Sequence, residues 1–270
     1  MDKNIGFIGG GNMGGAIVGG ILESKLVARE NIMVGDLNTQ GLAQLKEKFG
    51  ISVTKDNLEV TEKADILFLS IKPNVYPKVI EQIKGKIKKE TVVVSIAAGQ
   101  TIKAIEEMFG KDIKLVRAMP NTPALIGEGM SALCPNRKVE KEELNEIIQI
   151  FNSFGKCEVI PETLMETVIG VSGSSPAYVY MFIEALADAG VAGGMQRAQA
   201  YRFASQAVLG SAKMVLESGL HPGELKDMVC SPGGTTIAAV MELEKDGFRG
   251  TVINGTKVCI EKAKEMNTRA

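Results

Sequence analysis

Between residues 5 and 118, five short apolar runs alternate with longer amphipathic segments, and this alternation restricts the fold more than any other feature of the chain. The runs are Ile5–Ile8, Ile32–Gly35, Ile66–Ile71, Thr91–Ile96 and Lys114–Ala118. Apolar residues at helical spacing fill Ala16–Leu26, Gly41–Phe49, Val75–Ile83 and Ile102–Phe109. Strands separated by helices of this length return to the sheet in the same direction, which predicts βαβ units and a doubly wound, parallel sheet. A strand at Ser131–Cys134, a helix at Lys141–Phe154 and a short strand at Glu158–Ile160 extend the pattern. From Glu162 onward no β run stands out, and 174–191, 196–217, 223–230, 235–245 and 250–265 read as helices rich in Ala, Met and Gly. Helices apolar on more than one face need a partner. The expectation is an α/β chain in two parts, residues 1–161 carrying the sheet and 162–270 all helical and burying itself against a second subunit.

At 270 residues the chain suits two modest domains, taking roughly 150 residues for each. Its 45% hydrophobic and 23% charged residues allow a full core and exclude a disordered chain. A net charge of −1 and 5% aromatic residues offer neither a field for phosphate backbone nor a platform for bases, so nucleic acid is not an expected partner. The start, Met1-Asp2-Lys3-Asn4-Ile5, lacks the layout of a signal peptide, and no apolar stretch approaches the ~20 residues that span a bilayer. Cys134, Cys157, Cys230 and Cys259 form no C-x-x-C pair, which suits a reducing cytoplasm and predicts no metal centre. The single histidine, His221, stands before Pro222 in a glycine-rich turn and reads as a helix-entry residue, so the chemistry should rest on something other than imidazole.

Gly9-Gly10-Gly11-Asn12-Met13-Gly14 matches G-x-G-x-x-G, directly after the strand ending at Ile8 and at the opening of a helix. In that context Gly9 permits the tight turn, Gly11 lets a pyrophosphate approach the backbone, and Gly14 allows close helix–strand packing. The loop ends Gly14-Gly15-Ala16 rather than Gly-Lys-Ser/Thr, which excludes a P-loop. The fold expected of the first part is therefore a Rossmann dinucleotide-binding domain. Asp36, at the end of the second strand, is placed to bond a ribose 2′-hydroxyl. A carboxylate there repels the 2′-phosphate of NADP, and Leu37 and Asn38 bring no cation, so the reading leans to NADH.

A second glycine-rich turn, Ser231-Pro232-Gly233-Gly234-Thr235-Thr236, precedes a helix, and its N–H groups and hydroxyls suit a small carboxylate. Lys72-Pro73, Ala97-Ala98-Gly99 and Met119-Pro120-Asn121-Thr122-Pro123 each follow a strand, where open sheets bind ligands. Together they would wall the nicotinamide and its ribose.

These blocks, with Ser70-Ile71-Lys72-Pro73, Val171-Ser172-Gly173-Ser174-Ser175-Pro176-Ala177-Tyr178 and His221-Pro222-Gly223-Glu224-Leu225-Lys226-Asp227, make the chain resemble the pyrroline-5-carboxylate reductases over nearly its whole length. The resemblance implies a Rossmann domain followed by an all-helical dimerisation domain, with a homodimer as the minimum unit and a decamer as a larger form. It implies that NAD(P)H is held by Ile8, Gly9, Gly10, Gly11, Asn12, Met13 and Gly14, by Asp36, Asn38 and Asn57, by Ile71, Lys72 and Pro73, by Ala97, Ala98 and Gly99, and by Asn121, Thr122 and Pro123. Glu162, Ser231, Gly233, Gly234 and Thr235 fall on the substrate side, and Thr236 is the residue that bonds the ring nitrogen. Three positions depart from the family pattern: Ser175 replaces a glycine, Met228 a polar cofactor contact of some members, and Asp36 a small or neutral residue.

The reaction implied is hydride transfer from the nicotinamide to the C=N carbon of 1-pyrroline-5-carboxylate. Two rivals make different demands. A β-hydroxyacid-type dehydrogenase needs a catalytic lysine in the helix after its Gly-rich segment, and 175–182 contains none. A non-catalytic dinucleotide sensor would not need the Ser231–Thr236 turn.

Overall fold

The computed structural model describes residues 1–267, and its strands and helices follow the alternation of the sequence. In chain order, β1 (Ile5–Ile8) leads to α1 (Asn12–Glu23), β2 (Ile32–Gly35) to α2 (Thr39–Phe49), and β3 (Ser52–Thr54) to α3 (Asn57–Lys63). Then come β4 (Ile66–Leu69), α4 (Tyr76–Ile83), β5 (Val92–Ser95), α5 (Ile102–Phe109), β6 (Lys114–Met119), β7 (Gly129–Pro135), α6 (Lys141–Asn152) and β8 (Gly155–Val159). The eight strands form one sheet in the order β3-β2-β1-β4-β5-β6-β7-β8.

Residues alternate sides along each strand, so β1 sends Ile5 and Phe7 to one face and Ile8 to the other. On the first face Phe7 stacks on Phe68 at 4.8 Å, and Phe151 and Phe154 extend the cluster beneath α1, α2 and α6. On the second, Leu67, Leu69, Val93 and Leu115 pack with Tyr76, Val79, Ile80 and Ile105 of α4 and α5. Both faces are covered, which is why the central strands read as unbroken apolar runs.

Three features depart from the sequence expectation. β3 is three residues long and polar at its start, too short for a periodic signal. The α3 helix, also unforeseen, is capped by Asp56, whose side chain accepts from the Leu58 N–H; Asp56 followed by Glu59 carried that start signal in the sequence. Finally, β7 runs antiparallel to β6, because the connection 120–128 is a short 3₁₀ turn with no crossover helix.

Beyond β8 come α7 (Met165–Val168), a π-type turn over Ile169–Gly173, α8 (Ser175–Ala192), α9 (Arg197–Ser218), α10 (Pro222–Val229), α11 (Thr235–Lys245) and α12 (Phe248–Asn267). The described chain divides into two compact units, 1–174 with 259–267, and 175–258. Residues 268–270, the end of the 162–270 part expected from sequence, lie outside the described residues. In the second unit α8 packs against α9, and Phe182 meets Phe248 with ring centroids 6.1 Å apart. Tyr180, Met181, Phe203, Leu209, Leu216 and Ile253 of this unit are exposed.

Candidate dinucleotide site and substrate turn

At the end of β1, Gly9 has φ +107°, and a Cβ there would lie 2.4 Å from the Ser70 carbonyl oxygen. Only glycine makes this turn. The Ser70 hydroxyl donates to the Gly9 carbonyl at 2.6 Å and the Gly9 N–H donates to the Gly35 carbonyl at 2.7 Å, pinning the loop to both neighbouring strands. A Cβ at Gly14 would meet the Gly9 oxygen at 2.6 Å, so the start of α1 can lie this close to the loop only without a side chain.

Gly11 is different, since a Cβ there would meet nothing within 4 Å. Packing therefore gives no reason for glycine at 11, and the open space in front of it is where a group could press against the backbone. Gly11 is the N-cap of α1, no side chain caps that helix, and its first turn holds no acid. The N–H groups of Asn12 and Met13 and the positive end of the helix dipole are left for an anion. The loop fits a dinucleotide pyrophosphate.

The Asp36 carboxylate follows β2 and braces the same loop: one oxygen accepts the Gly10 N–H at 2.7 Å, the other the Asn38 N–H at 2.9 Å. It is thereby held beside the glycine turn, where a ribose on this pyrophosphate would lie. The Asn38 side chain caps α2 by accepting the Gly41 N–H, and the Asn57 amide donates to Gln82 at 3.1 Å. Lys72 and Pro73 begin a 3₁₀ turn after β4, with Ile71 packed against the core. Ala97, Ala98 and Gly99 follow β5, Gly99 at φ +74°. All stand at the carboxyl ends of parallel strands around β1, where the strand order reverses and open α/β sheets take ligands.

Asn121 lies on this rim too, but its side chain is engaged internally. Its amide nitrogen donates to the Ser172 carbonyl at 3.0 Å and its oxygen accepts the Met130 N–H at 2.9 Å. Thr122 and Pro123 open the following 3₁₀ turn. Glu162 is likewise engaged: its Oε1 accepts the Ile102 N–H at 2.7 Å and Arg117 Nη1 at 3.0 Å. Arg117 Nη2 donates to Glu166 Oε1 at 3.0 Å. The Cys134 thiol beside this cluster is pushed up first by burial and then by the Glu162 charge.

The second turn belongs to the other compact unit. Gly233 has φ +67°, the Gly234 N–H donates to the Ser231 carbonyl at 3.0 Å, and Gly234 is the N-cap of α11. No side chain caps α11 and no acid sits in its first turn, so Thr235 and Thr236 begin a helix whose terminal N–H groups suit a carboxylate. His221 caps α10 through Nδ1, which accepts the Gly223 N–H at 3.0 Å, while Glu224 returns a bond to the His221 N–H. Its role as a helix-entry residue is borne out.

Sequence reasoning quoted Ser70 within a motif block without giving it a role, and missed the Arg117–Glu166 pair. A lone arginine inside the apolar run Lys114–Ala118 was the available signal, because a charge on a buried strand requires partners. Among the described residues no three His, Cys, Asp or Glu side chains cluster as metal ligands, and no helix is long and apolar enough to cross a membrane.

Residues 162–266 match the family model for pyrroline-5-carboxylate reductase dimerisation, and residues 4–99 match that for the coenzyme F420-dependent NADP oxidoreductases. A pyrroline-5-carboxylate reductase of Escherichia coli is 52% identical over 267 residues, 99% of each chain. The chain belongs to the pyrroline-5-carboxylate reductase family. Solved structures agree. The Coxiella burnetii reductase superposes with a TM-score of 0.92 at 35% identity, covering 98% of this chain and 99% of that one. The Plasmodium falciparum enzyme, solved with NADP bound, gives 0.88 at 35% identity over 98% of both chains.

Proposed function

We propose that the chain reduces 1-pyrroline-5-carboxylate to L-proline, the last step of proline biosynthesis, with NAD(P)H as reductant. The observation that carries this reading is family membership along the full length, at 52% identity to a curated reductase. The bound dinucleotide supplies a hydride to the C=N carbon. An imine nitrogen is basic enough to arrive protonated, and the resulting iminium is already electrophilic, so the protein has to orient the ring more than to supply a strong acid.

The residues divide that work. Ile8 through Gly14 seat the pyrophosphate; Asp36, Asn38 and Asn57 take the adenosine side; Ile71–Pro73, Ala97–Gly99 and Asn121–Pro123 wall the nicotinamide side. The N-terminus of α11, with Ser231, Gly233, Gly234 and Thr235, holds the substrate carboxylate, and Glu162 stands on the substrate side. Thr236 hydrogen-bonds the ring nitrogen and fixes the face presented to the hydride. The fixed carboxylate of Asp36 favours NADH over NADPH. Residues 1–161 form the dinucleotide-binding domain and 162–270 the dimerisation and substrate domain, in a cytoplasmic enzyme whose minimum unit is a homodimer and whose larger form is a decamer. The two family models, over 4–99 and 162–266, support that division.

Thr236→Ala tests the assignment. It should lower turnover by about tenfold or more while NADH affinity and thermal stability stay at wild-type values. Unchanged turnover would remove Thr236 from the reaction.

A further inference from the structure

The Arg117 cluster places two carboxylates, Glu162 and Glu166, on one guanidinium that is only 3% exposed. One guanidinium cannot neutralise both; Glu166 is only 10% exposed, while Glu162, at 33%, keeps partial access to solvent, and the surplus charge needs other groups to meet it. The structure shows what else meets it. Glu162 Oε1 also accepts the N–H of Ile102, the first residue of α5, at 2.7 Å, so the positive end of a helix dipole offsets the surplus. The α5 helix already has a side-chain cap, since the Thr101 hydroxyl accepts the Ala104 N–H. Glu162 is thus a second tether on the same terminus, reaching across 60 residues of sequence.

What that terminus ends is the loop 97–101, which leaves the carboxyl end of β5 on the ligand-binding rim. Its near end is held by a hydrogen bond between the Ala97 backbone and the buried Tyr76 hydroxyl. Gly99 takes φ +74°, and the amide oxygen of Gln100, a residue only 4% exposed, has no hydrogen-bond partner. Its far end is held through Thr101 and Ile102, and through Ile102 by Glu162.

We propose that Arg117, Glu162 and Glu166 form a latch that sets the loop 97–101 against the nicotinamide half of the dinucleotide, with Arg117 and Glu166 as positioning residues that touch neither cofactor nor substrate. The Arg117 fork spans the two carboxylates, aims Glu162 Oε1 at the Ile102 N–H, and so fixes where Ala97, Ala98 and Gly99 stand. The latch rests on the reading of those three residues as part of the nicotinamide wall. It does not rest on the identity of the imine.

The test compares NADH with ADP-ribose, which lacks the nicotinamide, as ligands of the full-length wild type, Glu162→Ala, Glu162→Gln and Arg117→Lys. Glu162→Gln keeps the volume and an acceptor for Ile102, so it stays informative if the other two fold poorly. Glu162→Ala and Arg117→Lys should weaken NADH binding by about five- to tenfold and leave ADP-ribose binding within about twofold, with Glu162→Gln between them and wild type. Equal NADH affinity in all four proteins, or parallel losses for both ligands, would overturn the latch. The titrations contain no imine, so a wild type that binds NADH but does not reduce pyrroline-5-carboxylate would defeat the proposed reaction and leave this comparison intact.

Discussion

Gly11 and Gly14 sit three residues apart in one loop, yet packing explains only the second. A Cβ at Gly14 strikes the Gly9 carbonyl, whereas one at Gly11 meets nothing within 4 Å. Gly14→Ala should therefore cost about 1–3 kcal/mol of stability, read as a lowered Tm. Gly11→Ala should cost no more than about 1 kcal/mol, the value of a poorer cap, while NADH affinity falls about tenfold or more. A Gly11→Ala protein with wild-type affinity would show that no ligand approaches the backbone there. Asp36 carries the cofactor preference, and Asp36→Ser removes the charge facing a 2′-phosphate. The ratio of kcat/KM for NADPH to that for NADH should rise about tenfold or more. Because Asp36 also accepts the Gly10 N–H, the variant should bind both dinucleotides more weakly than the ratio alone suggests.

At the level of elements, turn chemistry decides which helix ends remain free. Asn38, Asp56 and Thr101 cap α2, α3 and α5 with their own side chains, and His221 caps α10. The α1 and α11 helices have glycine at the N-cap and no side-chain cap, and these are the two termini that the glycine-rich motifs of the sequence singled out. The motifs were legible because each needs a residue type at a fixed offset from a strand or helix. Side chains that serve a distant element were not: nothing in the spacing of Glu162 or Asn121 reveals that one caps α5 and the other braces Ser172. Since His221 is a cap, His221→Asn, which retains a good capping side chain, should keep the wild-type Tm within about 2 °C and the wild-type pH profile of kcat. A fall in kcat at unchanged Tm in that variant would return the histidine to the chemistry.

For the whole molecule, the strand–helix alternation was enough to anticipate the α/β sheet, its parallel core and the all-helical second part. The direction of β7 was not anticipated, because a nine-residue connection without a helix leaves no periodic trace of an antiparallel return. The apolar surface of the second unit is the molecular-scale counterpart of the family model for dimerisation. Leu209 and Leu216, seven residues apart on α9, are 56% and 84% exposed, an arrangement that a second copy of the chain would cover. Leu209→Glu with Leu216→Glu should shift sedimentation toward monomer and abolish turnover; an unchanged assembly would place the interface on another face.

The most direct test of the account follows oxidation of NADH and NADPH in parallel, at matched concentrations, with 1-pyrroline-5-carboxylate and with an imine-free control. The account predicts imine-dependent oxidation matched mole for mole by proline, with the higher kcat/KM for NADH. Binding of both dinucleotides without imine-dependent oxidation would contradict it.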